Sequence, residues 1–281
     1  MSGLRFSDRA LLAVTGPDAE SLLQGVITPD LPSLPAGEAR PGALLTPQGK
    51  ILFDFLISRT GPHGFHLETA RENAAGLLKR LTLYKLRAKV EIAEVEDIAI
   101  AVVWGEAPEN GIHDTRFSET PVYRVYEENP PETQKADPGE YAALRIRDGV
   151  AESGSDFALS DAFPHDVLMD LNGGVSFRKG CFVGQEVVSR MQHRGTARRR
   201  IAILDGDAPL VTGHALEATG RSVGTLGTCE GTQALALVRA DRVREAVAAG
   251  EVLTVDGVPV RVRFPAWSGL TLEASADARP A

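Results

Sequence analysis

The apolar positions fall into short runs that switch between strand and helix spacing. Residues 10–15 (Ala-Leu-Leu-Ala-Val-Thr) are a short unbroken apolar run and predict a buried strand. Gly16-Pro17-Asp18 then opens a helix, with Asp18 at its positive end and Leu22, Leu23 and Val26 on its buried side, and Thr28-Pro29-Asp30 stops it. Residues 41–46 and 51–58 flank Pro47-Gln48-Gly49-Lys50 as two strands around a hairpin turn. A third strand over Gly64 to Glu68 leads into a helix over roughly Glu72 to Leu83. Val90 to Val95 and Ile98 to Trp104 read as two more strands. The polar, Pro-rich stretch 127–140 has no apolar face and predicts a surface loop, after which Tyr141 to Arg147 reads as a strand.

From about Thr196 the pattern becomes β-rich and punctuated by Gly. Runs at Ile201–Leu204, Ser222–Thr228, Ala234–Val238, Val252–Val255 and Val258–Phe264 predict a small barrel or sandwich, with a short helix over Asp241 to Ala249. The expected organisation is therefore α+β, with one region at 1–195 (two lobes) and a C-terminal β-barrel domain at 196–281.

Composition narrows the functional classes. The length of 281 residues favours more than one lobe. No apolar run approaches a membrane span, and the first ten residues carry neither the apolar core of a secretory signal nor the Arg/Ser-rich character of a transit peptide. A net charge of −8 argues against general nucleic-acid binding. The two cysteines, Cys181 and Cys229, supply neither a disulfide framework nor a complete metal cage, so reduced thiols in the cytoplasm are expected.

The candidate chemistry lies in 172–200. Cys181 sits between Lys179-Gly180 and Phe182-Val183-Gly184, and Gly184-Gln185-Glu186 begins a helix whose apolar side is Val187, Val188 and Met191. A thiolate is the reactive, metal-binding form of cysteine, and a neighbouring lysine or helix N-terminus stabilises it. It is also a preferred soft ligand for iron–sulfur clusters. The alternative is that Cys181 packs as a small hydrophobe, and that Glu186 is only an acidic first-turn residue. Arg190, Arg194, Arg198, Arg199 and Arg200 form a basic run with His193, readable as a solvated face or as an anion site. Asp54 interrupts an apolar strand. It either serves a pocket, accepting from an NH-rich ring, or pairs with Lys50, Arg87 or another cation. Cys229, within a β-rich run, reads as packing.

Lys179-Gly180-Cys181-Phe182-Val183-Gly184-Gln185-Glu186, a KGCxxGQE pattern, resembles the signature of the YgfZ type of folate-binding iron–sulfur assembly proteins. The continuation through Arg190 and Gly195 to Arg200 resembles the branch that includes the mitochondrial assembly factor and its bacterial relatives. The resemblance spans nearly the whole chain, including Val14 to Ala19 with Leu23-Gln24-Gly25, Thr46 to Lys50, and Phe163-Pro164-His165. The wider relative is the aminomethyltransferase of the glycine cleavage system. It implies a ring-like arrangement of lobes around a tetrahydrofolate pocket, with Asp54 matching an aspartate of those enzymes. Two departures stand out. Arg147 replaces a pterin-binding glutamate, and a guanidinium donates but cannot accept. Cys181 stands where the enzymes carry an aspartate.

The resemblance thus implies an assembly factor rather than a transferase. Cys181 would ligate a cluster shared with an A-type carrier on its way to client iron–sulfur enzymes, and Lys179 would keep the thiol ionised. Tetrahydrofolate or a related folate would meet Asp54, Arg145, Phe177, Gln185, Glu186, Arg190 and Arg194. The rival expectations are a folate-dependent one-carbon transferase and an RNA-contacting accessory protein working through Arg190 to Arg200.

Overall fold

The computed structural model describes residues 1–130 and 134–272. The chain divides into two units: Met1–Pro138 with Leu159–Pro164 and Met169–His193, and Gly139–Ala158 with His165–Leu168 and the chain from Arg194 on.

The first unit is built on a mixed sheet. Its strands are β1 (Ser2–Phe6), β2 (Arg9–Thr15), β3 (Glu38–Leu45), β4 (Ile51–Gly61), β5 (Gly64–Ala70), β6 (Glu91–Glu94), β7 (Ala99–Trp104), β8 (Ile112–Asp114), β9 (Val122–Glu127) and β10 (Gln134–Lys135). They lie in the order β10-β1-β7-β9-β8-β3-β4-β5-β2-β6. Pairing is antiparallel except β1 with β10 and β3 with β8. Helices α1 (Ala19–Gln24) and α2 (Arg71–Lys85) belong to this unit. Strand β2 is apolar at consecutive positions because both its faces are covered: Leu11, Leu12 and Val14 are all buried. The face of α2 that meets the sheet is Ala74, Leu77 and Leu81, the three- and four-residue spacing of one helical stripe. Asp18 serves α1 differently from expectation. Its carboxylate makes no cap hydrogen bond and instead accepts the backbone N–H of Lys89 at 2.8 Å.

Within this unit lies an ionic cluster whose centre, Arg124, Asp114 and Glu68, is fully buried. Arg124 on β9 meets Asp114 and Glu68, and Arg9, Arg116 and the Tyr126 hydroxyl complete it. Burial pushes the Glu68 and Asp114 carboxyls up, but the surrounding guanidinium groups outweigh it and hold both below the usual carboxylate range.

Residues Tyr141 to Arg147, expected as a strand, are helical: α3 spans Pro138–Asp148. The Leu-Arg-Ile-Arg alternation imitates a period of two, but Tyr141, Leu144, Arg145 and Asp148 form a buried helical stripe, with Ile146 buried beside it. The helix opens on Pro and an acidic first turn, and Gly149, at φ +69°, ends it. Part of the polar stretch before it also departs from a plain loop, since Gln134–Lys135 pairs with β1. Residues 131–133 of that stretch lie outside those described.

Helix α4 (Gln185–Arg194) follows the signature. The second unit then forms a closed six-stranded barrel: β11 (Arg199–Gly206), β14 (Gln233–Arg239), β13 (Arg221–Glu230), β12 (Ala215–Ala218), β15 (Leu253–Val255) and β16 (Val258–Arg263), with β16 pairing back to β11. Ala202, Leu204, Leu216, Ala236, Val238, Val260 and Val262 fill it, and α5 (Ala240–Ala248) adds Val243 and Ala246. On β16 the inward valines alternate with outward Arg261 and Arg263.

Candidate functional site

The signature loop is held from several sides within the first unit. The buried Thr28 hydroxyl donates to Gly174 O at 2.6 Å and accepts from Ala43 N at 2.9 Å, tying residue 174 to β3. Ser176 N donates to Thr28 O at 3.0 Å. Lys179 Nζ donates to Ile27 O and Pro29 O, both at 2.8 Å, and lies 5.2 Å from the centre of the Phe182 ring. Phe182 itself is buried.

Gly184 closes the loop against the hairpin between β3 and β4. A Cβ there would lie 2.5 Å from Thr46 O and 3.0 Å from Leu45 Cβ, and its φ is +77°. A Cβ on the hairpin's own Gly49, at φ +79°, would lie 3.0 Å from Val187 Cβ and 3.3 Å from Val188 Cγ2 of α4. Only glycine allows backbone to approach this closely at positive φ. Lys50, next to that turn, donates to Asp161 O at 2.5 Å and stands 4.5 Å from the Phe163 ring. The Thr46–Lys50 turn, Phe163 and the signature are thus brought to one place.

Between these anchors Cys181 is exposed. A Cβ at the preceding Gly180 would touch nothing within 4 Å. The thiol therefore stands on an open stretch of backbone, bounded by the fixed Lys179 and the buried Phe182. The Lys179 ammonium has partners of its own within the loop's anchorage. Two of its donors are taken by carbonyls, and burial lowers its pKa to about 8 against the opposing effect of Asp30. Its observed role is to fasten the loop.

The other expected site residues separate. Phe177 and Lys179 line a cavity of about 540 Å³ with Asp30, Ser33, Arg40, Gly173, Val175, Ser176 and Arg178. Asp54 is half-buried on β4, its backbone carbonyl accepting from the Thr69 hydroxyl at 2.8 Å, and it is not among those lining residues. Lys50 pairs with Asp161 rather than Asp54. Gln185 opens α4, and Glu186 pairs along the exposed helix surface with Arg190 at 2.6 Å. Arg194 and His193 are exposed. In the second unit, Arg145 is buried and committed to the Asp156 carboxylate, Val150 O and Thr228. This makes it an internal strut rather than a ligand-facing cation. The basic run is also partly spent there: Arg199 pairs with Asp166 at 2.7 Å and Arg200 donates to His165 O at 2.5 Å. Cys229 packs partly against the barrel core, and burial pushes its thiol up. Sequence reasoning missed Asp30, Ser33 and Arg40 because nothing local marks them as neighbours of residues 173–179.

Comparison with known proteins gives similarities to both ends of the chain. Residues 198–270 match the model of the CAF17 C-terminal β-barrel domain, and residues 6–110 match that of the GCVT N-terminal domain. The iron–sulfur cluster assembly factor IBA57 of Homo sapiens is 29% identical, with 85% of this chain and 78% of that protein covered. The chain is thus similar to proteins of the CAF17/IBA57 type. The mouse IBA57 protein is 28% identical over the same shares, and the IBA57 homolog of Coccidioides immitis is 32% identical. The chain spans about half the length of that and the other first fungal relatives, 55% in the Coccidioides case. Aminomethyltransferase T of the glycine cleavage system from Bartonella henselae superposes with a TM-score of 0.72 at 16% identity, covering 95% of this chain and 86% of that one. The fold of this chain is accordingly aminomethyltransferase-like, with a mixed sheet and a C-terminal barrel. No helix among the described residues is long and apolar enough to cross a membrane.

Proposed function

We propose that this chain is an assembly or repair factor for iron–sulfur clusters, acting through Cys181 with a cluster carrier. The observation that carries the proposal is the exposed thiol on a loop fastened on both sides, in a chain whose relatives are named assembly factors. One thiolate cannot hold a cluster alone, and the sequence has only two cysteines, so further ligands would come from a second molecule. A carrier of the A type, delivering to client iron–sulfur enzymes, supplies them. Within the type, the KGCxxGQE pattern favours the YgfZ group. Both cysteines are free, which suits the reduced thiols of the cytoplasm.

A folate-type ligand, tetrahydrofolate or a relative, would meet the half-buried Asp54 carboxylate, which is able to accept pterin N–H groups. The second acceptor of the aminomethyltransferases is missing. Arg147 stands in its place and only donates, so the residues present do not fit an enzyme-like folate site and methylene transfer is not part of the proposal.

The test is anaerobic mixing of the reduced protein with a cluster-loaded A-type carrier, followed by absorption and EPR. A new shared-cluster spectrum that disappears with Cys181→Ser is expected. A Cys181→Ser variant that restores client [4Fe–4S] enzymes in a depleted strain as well as the unaltered protein does would overturn the ligand role.

A further inference from the structure

The outer end of α2 carries charge and apolar surface that the fold does not use. Residues 73–90 contain Lys79, Arg80, Lys85, Arg87 and Lys89 and no Asp or Glu, in a chain whose net charge is −8. None of these five side chains makes a hydrogen bond or ion pair among the described residues. Asp18, which reaches this segment, accepts the backbone N–H of Lys89. Leu83 stands one helical turn after Lys79 and Arg80 and is 61% exposed. Leu86 follows the last helical residue and is 88% exposed. Its backbone is unusual: φ is +46° and ψ −105°, and Ala88 N donates to Lys85 O at 2.8 Å. This is the first central position of a type II′ turn, which favours glycine. A leucine there strains the backbone and leaves its side chain in water. The helix dipole accounts for cations at Lys85 and Arg87. It does not account for two leucines held out among them, whereas Leu77, Leu78 and Leu81 of the same helix pack on the core.

We propose that the end of α2 is a docking surface for an acidic segment of a protein partner, whose apolar side chains cover Leu83 and Leu86 while its carboxylates meet Lys79, Arg80 and Arg87. Charge complementarity selects this occupant. A bilayer or a nucleic acid is an extended polyanion and would also meet the rest of an acidic chain, whereas a short segment meets only the local cations. Single-stranded nucleic acid also calls for exposed rings on which bases stack, and the one aromatic residue of 73–90, Tyr84, packs against the core. Apolar surface rimmed by polar groups is the anatomy of a protein contact. No residue lining the cavity beside the signature loop takes part, so the surface goes beyond the cluster reading.

Fluorescence anisotropy of the full chain with a labelled peptide, Glu-Asp-Glu-Leu-Glu-Asp-Leu-Glu, tests the assignment. Its two leucines are spaced in sequence as Leu83 and Leu86 are. Oligouridylate and phosphatidylcholine vesicles containing phosphatidylserine serve as competitors. Saturable binding below about 1 mM is expected, roughly tenfold weaker when both peptide leucines become serine. Arg80→Gln combined with Arg87→Gln should weaken binding roughly tenfold and flatten its dependence on salt. Leu86→Gly is the deciding variant. Glycine suits the turn, so the urea midpoint should not fall, while peptide binding weakens several-fold. Unchanged binding by Leu86→Gly, a lowered midpoint that makes Leu86 a structural residue, or equal binding of the leucine-free peptide overturns the proposal. So does a failure to saturate, or displacement of the peptide by RNA or vesicles at lower concentration than by unlabelled peptide.

Discussion

Substituting the two glycines of the signature should separate backbone necessity from sequence coincidence. Gly184→Ala places a Cβ 2.5 Å from Thr46 O, 3.0 Å from Leu45 Cβ and 3.2 Å from Gly49 Cα. Two of those three neighbours are backbone atoms of a hydrogen-bonded turn, in which Gly49 N donates to Thr46 O at 2.9 Å. They cannot swing aside as a side chain would. The left-handed backbone at φ +77° adds about 1–2 kcal/mol for any residue with a Cβ. Forcing the turn and α4 apart adds a further ~1–3 kcal/mol. The expected loss is therefore about 2–5 kcal/mol, a large share of a typical stability of roughly 5–15 kcal/mol. Gly180→Ala is the internal control. Its Cβ would meet nothing, and its φ lies outside the left-handed region, so the change is expected within about 0.5 kcal/mol of neutral. Urea unfolding followed by far-UV circular dichroism measures both, and iodoacetamide labelling of Cys181 in the folded protein reports whether the loop has moved. Equal midpoints for the two variants would refute the claim that the loop is pinned at Gly184.

Further outcomes follow from the same structure. Cys181→Ser is expected to leave urea stability within about 0.5 kcal/mol while abolishing cluster transfer, because the side chain is exposed. Lys179→Met removes both carbonyl contacts and should cost about 1–3 kcal/mol, and a variant of unchanged midpoint would deny Lys179 its fastening role. Glu68→Gln at neutral pH leaves Arg124 buried without the Glu68 carboxylate and should cost about 3–5 kcal/mol by urea titration. The Glu68 and Asp114 carboxyls have folded pKa values below their unfolded ones, so the stability they add is present above the ordinary carboxylate range. It is lost as pH falls through the lower folded values, and the unfolding midpoint of Glu68→Gln should fall less steeply with acid than that of the unaltered chain.

The legible parts of the sequence were those where one local pattern decides the structure. Strand β2 declared itself because both faces are buried, and the β3–β4 hairpin because Gly49 must take a positive φ. The barrel was visible in the regular recurrence of short Gly-punctuated runs, although Ala215–Ala218 was not, its Ala-Leu-Glu-Ala favouring helix by composition. Helix α3 was misread because a buried arginine, Arg145, sits where an apolar residue would have revealed the helical stripe. Strand β9 stayed hidden for the same reason, its central Arg124 being fully buried against carboxylates from β5 and β8. Paired buried charge is invisible to a hydrophobic pattern, since the partner lies far away in sequence. The site divides likewise. Cys181 and its glycines were marked locally, whereas the acceptors of Lys179 lie about 150 residues upstream and no spacing rule points to them.

The fastening bears directly on how a single cysteine could work in a shared cluster site. A ligand on a free loop would surrender backbone and side-chain freedom at the moment of binding, and that loss subtracts from the affinity of the complex. Here the ordering has already occurred. Thr28 holds residues 174 and 176, Lys179 is bonded to the 27–29 turn, Phe182 is buried, and Gly184 lies against Thr46. Between Lys179 and Phe182, Gly180 and Cys181 remain open to an incoming molecule. Each anchor is paid for during folding, when the sheet's apolar burial is available to offset it, rather than during association with a carrier. Loosening an anchor should therefore weaken cluster capture even where the thiol itself is untouched. Lys179→Met measured against Cys181→Ser in the same transfer assay distinguishes a pre-positioned ligand from a merely accessible one. The first variant should bind the carrier's cluster weakly but with an unchanged spectrum, and the second should yield no shared cluster at all.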